Sequence, residues 1–295
     1  MTFGPRAVDV ADVAIESRGS ELEQSNSEVV MSASGKWSTP AFPDIVVFPR
    51  GPIVELELER VAGAVGRLLT RNGVDGGARV RVAGANCSSG PQLVQVNLCV
   101  GGIPARVQTI VSGPGMVLPV VLRLERLINR LTMKRLGAPG QEPMRRLLAG
   151  SGHGTITRRK NYSLLVGPPD AAAAVLDAMD YDAHLFVDAE TGADAIVYRG
   201  DPAGIGLLRS QCDPSAADPR IPELSETAAV DRLCTVGLPY LFFIDPASRR
   251  GNLLYRRYDA DLGLITPQTG ARALPADLVF GSTATEAAPA IDTSN

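Results

Sequence analysis

The chain has 295 residues, 45% of them apolar and 5% aromatic, with a net charge of −3. That length predicts two or three domains cored by Val, Leu and Ile, and no apolar run approaches the roughly 20 residues of a membrane span. The small total hides an asymmetry: residues 1–43 carry 3 basic and 6 acidic side chains, residues 44–160 carry 17 and 7, and residues 161–295 carry 9 and 19. A basic middle segment points to a polyanionic partner, and the acidic remainder excludes a protein that coats nucleic acid along its whole length.

Residues 1–43 include RGSELEQSNSE and SASGKWSTP, show no sustained period, and predict a disordered arm in which Trp37 has no partner. No basic region followed by an apolar block opens the chain, so a cytoplasmic protein is expected and its glycosylation-like triplets are set aside. A basic domain is expected over 44–136. Asp44–Phe48 reads as a buried strand ended by Pro49, and Ile53–Arg71 as a helix with Ile53, Leu56, Val61, Ala64, Val65, Leu68 and Leu69 on its buried side. Strands follow at Ala78–Ala83, Leu93–Val100 and Ile103–Val111, the last two joined by Gly101-Gly102, a tight-hairpin signature. Val117–Arg135 is a second amphipathic helix, giving a β-α-β-β-β-α order and an α+β fold.

The charge of this domain is patterned. On the second helix Arg123, Arg126, Arg130 and Lys134 recur at steps of three and four and form a ridge, with Arg135 beside it. On the first helix Arg60, Arg67 and Arg71 do the same. In the strands Arg79 and Arg81 alternate with Val80 and Val82, and Arg106 with Val107, so one sheet face is apolar and the other basic and amide-rich. These eleven residues are the candidate RNA contacts. No zinc-finger spacing and no paired base-stacking aromatics accompany them, so recognition is expected through phosphates and the shape of folded RNA.

Residues 137–157 are rich in Gly and Pro and predict a flexible linker, with His153 as a solvated loop residue. Beyond it the chain repeats itself. His184–Leu208 and Leu241–Ile265 superpose at a shift of 57 positions without a gap, matching Phe186 with Phe243, Asp188 with Asp245, Tyr198 with Tyr255, Arg199 with Arg256 and Gly206 with Gly263. Such a repeat means one supersecondary unit used twice. Two small β-α-β-β-β units are expected, over 158–210 and 221–267, with a tail over 268–295. Thr157–Val166 reads as one strand and Ala171–Met179 as a helix; Glu226–Cys234 is the helix of the second unit.

Asp188 and Asp245 end matching strands near His184, but D-A-E-T-G and D-P-A-S-R-R-G are contexts in which aspartate caps a turn. No phosphate loop, nucleophile elbow or nucleotide fingerprint is present, so neither an enzyme nor a cofactor is expected. Cys87, Cys99, Cys212 and Cys234 lack C-x-x-C spacing and read as buried free thiols, with no metal site.

The R-R-K strand at Arg158–Lys160, the helix after it, and the hairpin HLFVDAETGADAIVYR followed by GIGLL are similar to the C-terminal domain of the long-form ribosome hibernation-promoting factors. The resemblance extends over about 44–265 and is strongest toward the hypoxia- or dormancy-associated ribosome factors of mycobacteria. It implies a stress-response translation regulator that binds 16S rRNA on the small subunit within 70S ribosomes near the decoding centre. There it would block mRNA and tRNA binding and stabilise the particle in hypoxia or dormancy. The family opens its second helix with a tyrosine and an aspartate where this chain has Val117 and Val121, so contacts through those residues are not carried over. The family's single C-terminal copy dimerises; two copies in one chain predict pairing within the chain in place of a homodimer, without ribosome dimers. Phe186, Tyr198, Phe243 and Tyr255 are the aromatics expected either at that pairing surface or in the core of each unit. The alternative is a regulator of the sigma-factor-modulating type, acting on a protein partner through the acidic half.

Overall fold

Alternation of valine with arginine and amide residues sets up a two-faced sheet in the basic segment. The computed structural model of the chain describes residues 35–51, 53–84, 92–111, 117–133, 154–200, 204–210, 221–257, 261–268 and 272–273. The basic segment holds strands β1 (Trp37–Thr39) and β2 (Phe42–Arg50), helix α1 (Glu55–Arg71), strands β3 (Ala78–Gly84), β4 (Gln92–Val100) and β5 (Ile103–Val111), and helix α2 (Val117–Thr132). The sheet order is β1-β2-β3-β4-β5. β2 and β3 are parallel, as the intervening helix requires, and the other neighbours are antiparallel.

One face of the sheet buries Val80, Val82, Val94, Val96, Ala105 and Val107 beneath both helices. α2 contributes Val120, Leu124, Leu127, Ile128 and Leu131 to that core. α1 contributes Leu58, Val61, Val65, Leu68 and Leu69, whereas Leu56 is half exposed: the buried stripe runs one step further round than expected. A methyl group on Gly66 would fall within the Phe42 ring, so a glycine here lets β2 close on α1.

The strand at the start of this unit begins earlier and ends later than the sequence suggests. β1 and β2 form a hairpin, and Trp37, expected without a partner, packs against the core and donates from Nε1 to Glu55 Oε1 at 3.2 Å. Pro49 lies inside β2 because β1 reaches only as far as Val47; beyond it that side of β2 is an edge, where a missing N–H is tolerated.

The acidic half holds β6 (Ile156–Tyr162), β7 (Leu165–Gly167), α3 (Pro169–Ala178), β8 (Ala183–Asp188), β9 (Asp194–Gly200) and β10 (Gly204–Arg209). Its second copy holds α4 (Glu226–Val236), β11 (Tyr240–Ile244), β12 (Gly251–Arg256) and β13 (Leu262–Pro267), followed by β14 (Arg272–Ala273). The hairpins repeat in register: Ala183 pairs with Tyr198 as Tyr240 pairs with Tyr255. Gly206 lies opposite Tyr198 and Gly263 opposite Tyr255, and a Cβ on either glycine would enter the tyrosine ring. The ring covering a glycine across the ladder is a built-in feature of the repeat, and it explains why both positions match in the sequence.

The segment expected as one strand over 157–166 is two strands in different sheets. β6 runs parallel to β13 and completes the order β11-β12-β13-β6, whereas β7 stays with its own copy in the order β10-β9-β8-β7-β14. The predicted tail therefore contains a strand, β14, parallel to β7. Each copy keeps a core against its own helix, with Leu176, Phe186 and Val197 under α3 and Leu233, Phe243 and Leu254 under α4. A third cluster takes Leu164, Leu185 and Ile196 from the first copy and Phe242, Leu253 and Ile265 from the second, so the two sheets share a core.

Candidate nucleic-acid interface

The outer face of the first sheet is a lattice set by strand register. Arg79 lies opposite Asn97, which lies opposite Arg106; in the next row Arg81 lies opposite Gln95, which lies opposite Gln108. Gln95 donates to Asn97 at 3.1 Å and Asn97 to the Arg79 carbonyl, which fixes the amides between the guanidinium groups. A groove of about 340 Å³ over Phe48, Arg50, Arg79, Arg81 and Asn97 leaves the β2–β3 side of this face open. Backbone phosphates would find there the array of cations and amide donors that non-specific recognition uses.

The helices carry the remaining candidates. Arg60 is exposed and held by Glu57 at 2.8 Å, and Arg71 reaches across to Glu125 of α2 at 2.5 Å. Arg67 is exposed and folds back over Gly63. Arg126 is exposed on α2, and Lys134 and Arg135 lie outside the described residues.

Three candidates are engaged by the acidic half. Arg123 donates to Asp180 Oδ1 at 2.7 Å, and Arg130 lies 3.2 Å from Asp177 Oδ2. The Asp180 Oδ2 atom accepts from the Gln108 backbone N–H at 2.9 Å, and Arg106 stacks 4.6 Å above the Tyr181 ring. Both carboxylates are almost fully buried, at 2% exposed for Asp177 and 5% for Asp180. Asp177 also accepts from Arg199 at 3.3 Å, so one carboxylate ties α2 to the hairpin of the first copy.

Asp180 has φ 51°, in the left-handed region that short polar side chains tolerate better than others. The sequence reading missed Asp177 and Asp180. A signal was present: at the same shift of 57, they correspond to Cys234 and Gly237 of the second copy, and Gly237 is also left-handed.

The four repeat aromatics divide. Tyr198 and Tyr255 pack in the cluster shared by the two copies, whereas Phe186 and Phe243 are buried under α3 and α4 respectively. A bidentate pair also links the copies: Arg250 donates to both oxygens of Asp194 at 2.8 and 2.9 Å, and the Gly251 N–H donates to one of them. That hydrogen bonding raises the Arg250 pKa further. Arg159 of β6 forms a second bidentate pair with Glu226 of α4 and, by hydrogen bonding first, lowers its pKa.

Asp188 and Asp245 do what their sequence context suggests: each accepts a backbone N–H within its own turn, from Glu190 and Ser248. Asp188 also binds Arg209. His184 is buried and stacked on Tyr181, and burial pushes its pKa down to about 4. Cys99, expected to be buried, is an exposed free thiol at the outer end of β4; Cys234 is half-buried, and Cys87, Cys212 and His153 lie outside the described residues.

Known proteins resemble the chain over most of its length. Residues 152–207, the first copy, match the family described as "Sigma 54 modulation/S30EA ribosomal protein C terminus". A protein called "Dormancy associated translation inhibitor" from Mycobacterium tuberculosis strain H37Rv is 44% identical over 263 residues, covering 83% of this chain and 96% of the relative. Its counterpart from strain CDC 1551 matches to the same extent.

Proposed function

The chain belongs to the long-form ribosome hibernation-promoting factor family, and from that premise we propose that it inhibits translation by binding the small ribosomal subunit near the decoding centre. The N-terminal unit lies in the path of mRNA and tRNA, contacts 16S rRNA, and holds the 70S particle together in dormancy. The observation that carries this reading is the lattice of Arg79, Arg81, Arg106 and their amides, continued on α2 by Arg123, Arg126 and Arg130. A factor bound to ribosomes would act in the cytoplasm.

Asp180 with Arg123 and Asp177 with Arg130 clamp the acidic half to α2. Arg123 and Arg130 bind carboxylates in the docked arrangement, so an rRNA phosphate that reaches them takes the place of Asp180 or Asp177. Pairing of the two copies within one chain occupies the surface through which single-copy relatives would dimerise, and leaves each ribosome with one factor. The shared core and the Asp194–Arg250 pair support that arrangement.

Co-sedimentation with 70S ribosomes tests the first part. Binding should fall steeply as salt rises, and replacing Arg123, Arg126 and Arg130 with Glu should abolish it. Binding that survives the triple substitution removes the α2 ridge from the interface. For the second part, a sucrose gradient should show 70S particles only, and a factor-dependent 100S peak would sink it.

A further inference from the structure

Where the outer face of the first sheet meets the acidic half, the two line a partly open cavity of about 140 Å³. Its walls do not share the acidic character of the half that supplies most of them. Six cationic side chains line it against one carboxylate, Asp182: Arg81 and Arg106 come from the sheet, and Arg158, Lys160, Arg256 and Arg257 from the other side.

Strand alternation explains the convergence. Within the R-R-K triplet of β6, Arg159 points to Glu226, while Arg158 and Lys160 point the opposite way, into the cavity. Arg256 is held by the carbonyls of Leu233 and Leu238, which fixes its guanidinium in place. Lys160 lies 5.7 Å above the Tyr255 ring, and burial, then Arg158, Arg106 and Arg257, push its pKa down to about 8. His184, 7% exposed, lines the same space, and its Nε2 has no hydrogen-bond partner. Like charges collected in a partly desolvated space repel one another, and a buried polar nitrogen without a partner is costly. An anion relieves both.

We propose that this cavity binds a small phosphate anion, held by Arg158, Lys160 and His184 and closed by Arg81 of the first sheet. The volume is close to that of an engineered cavity of about 150 Å³ that admits benzene, so it has room for one or two phosphoryl groups and not for a whole nucleotide. Phosphate suits the donor set because guanidinium and ammonium groups and an imidazole N–H can each take a separate oxygen. Because the walls come from both halves, the bound anion holds them together. The site shares Arg81 and Arg106 with the proposed rRNA face, but it is assayed without ribosomes, so its failure is distinguishable from a failure of ribosome binding.

Isothermal titration of the full chain with inorganic phosphate, pyrophosphate and ADP, at constant ionic strength set with chloride, tests the proposal. Saturable one-to-one binding of phosphate or pyrophosphate is expected, with a rise in melting temperature and a more compact particle by small-angle scattering. Lys160→Gln should weaken it at least tenfold, and so should Arg158→Gln, whose exposed position spares the fold. Tighter binding of ADP than of phosphate assigns the anion to the diphosphate end of a nucleotide; binding of the inorganic anions alone assigns it to the free ion. The absence of saturable binding by all three, equal affinity in a folded Arg158→Gln variant, or a response to an RNA oligomer only would overturn it.

Discussion

The two C-terminal copies share hairpin register, turn chemistry and a tyrosine-over-glycine contact, yet they differ in the carboxylates that grip α2. The difference sits in the last turn of the helix. In the first copy that turn presents Asp177 and Asp180 to the arginines of α2; in the second the same places hold Cys234 and Gly237. Local geometry is preserved across the exchange. Tyr181 N–H bonds to Leu176 as Leu238 N–H does to Leu233, and Arg199 and Arg256 each donate from Nε to the carbonyl 18 residues earlier. The fold of a copy and its docking are therefore written in different residues: apolar and glycine positions set the first, and two carboxylates the second.

The largest expected effect tests what the copies share. Phe242→Ala opens the common core and should cost about 4 kcal/mol, with hydrogen exchange rising in both copies. Leu176→Ala, of similar cost, should loosen the first copy ahead of the second. Uniform loss of protection from Leu176→Ala would mean that the copies open only as one unit.

Breaking the clamp comes next. Asp177→Asn with Asp180→Asn removes carboxylates paired with the half-buried Arg123, Arg130 and Arg199 and should cost about 3 kcal/mol in chemical denaturation. Asparagine tolerates the left-handed backbone at 180, so the turn is kept while the charge and one acceptor oxygen are lost. If docking competes with rRNA, this variant should bind ribosomes more tightly than the parent chain.

Between about pH 6.5 and 4 acid should act through His184, which the first copy carries and the second does not. The unfolded chain protonates His184 near pH 6.5 and the folded chain not until about 4, so the unfolded state binds more protons between those values. Stability should fall as pH drops through that window, by on the order of 3 kcal/mol in all. Leu241 stands at the matching place in the second copy, and His184→Phe should flatten the pH dependence of the melting temperature.

A smaller effect probes the repeat contact itself. Gly263→Ala forces Tyr255 aside and should cost about 2 kcal/mol, with Gly206→Ala behaving alike at Tyr198. A large difference between them would show that the two tyrosines are not equivalent in the shared core.

Much of this architecture was legible in the residues. The Gly101-Gly102 hairpin, the α2 stripe and the two-faced first sheet follow from period and turn chemistry, and the matching hairpins of the two copies from the shift of 57. What could not be read is non-local. TRRKNYSLLV has the composition of one strand, and nothing in it says that the chain changes sheets between Tyr162 and Leu165. The faces carrying Arg79, Arg81 and Arg106 were predictable from alternation. The docking of Arg106 and Arg123 on an acidic element was not, because Asp180 lies far along the chain from both.

The change of sheet at Tyr162 also bears on how the chain is made. β6 leaves the ribosome early in synthesis of this half, but its only described strand partner is β13, which emerges near the end. Until then β6 is an unpaired, cation-rich edge, and long-range parallel pairing is slow to form. The first copy waits as well, since β7 gains its second neighbour only with β14. A factor that silences ribosomes thus has its C-terminal half assembled in one late step, when its own translation is almost complete.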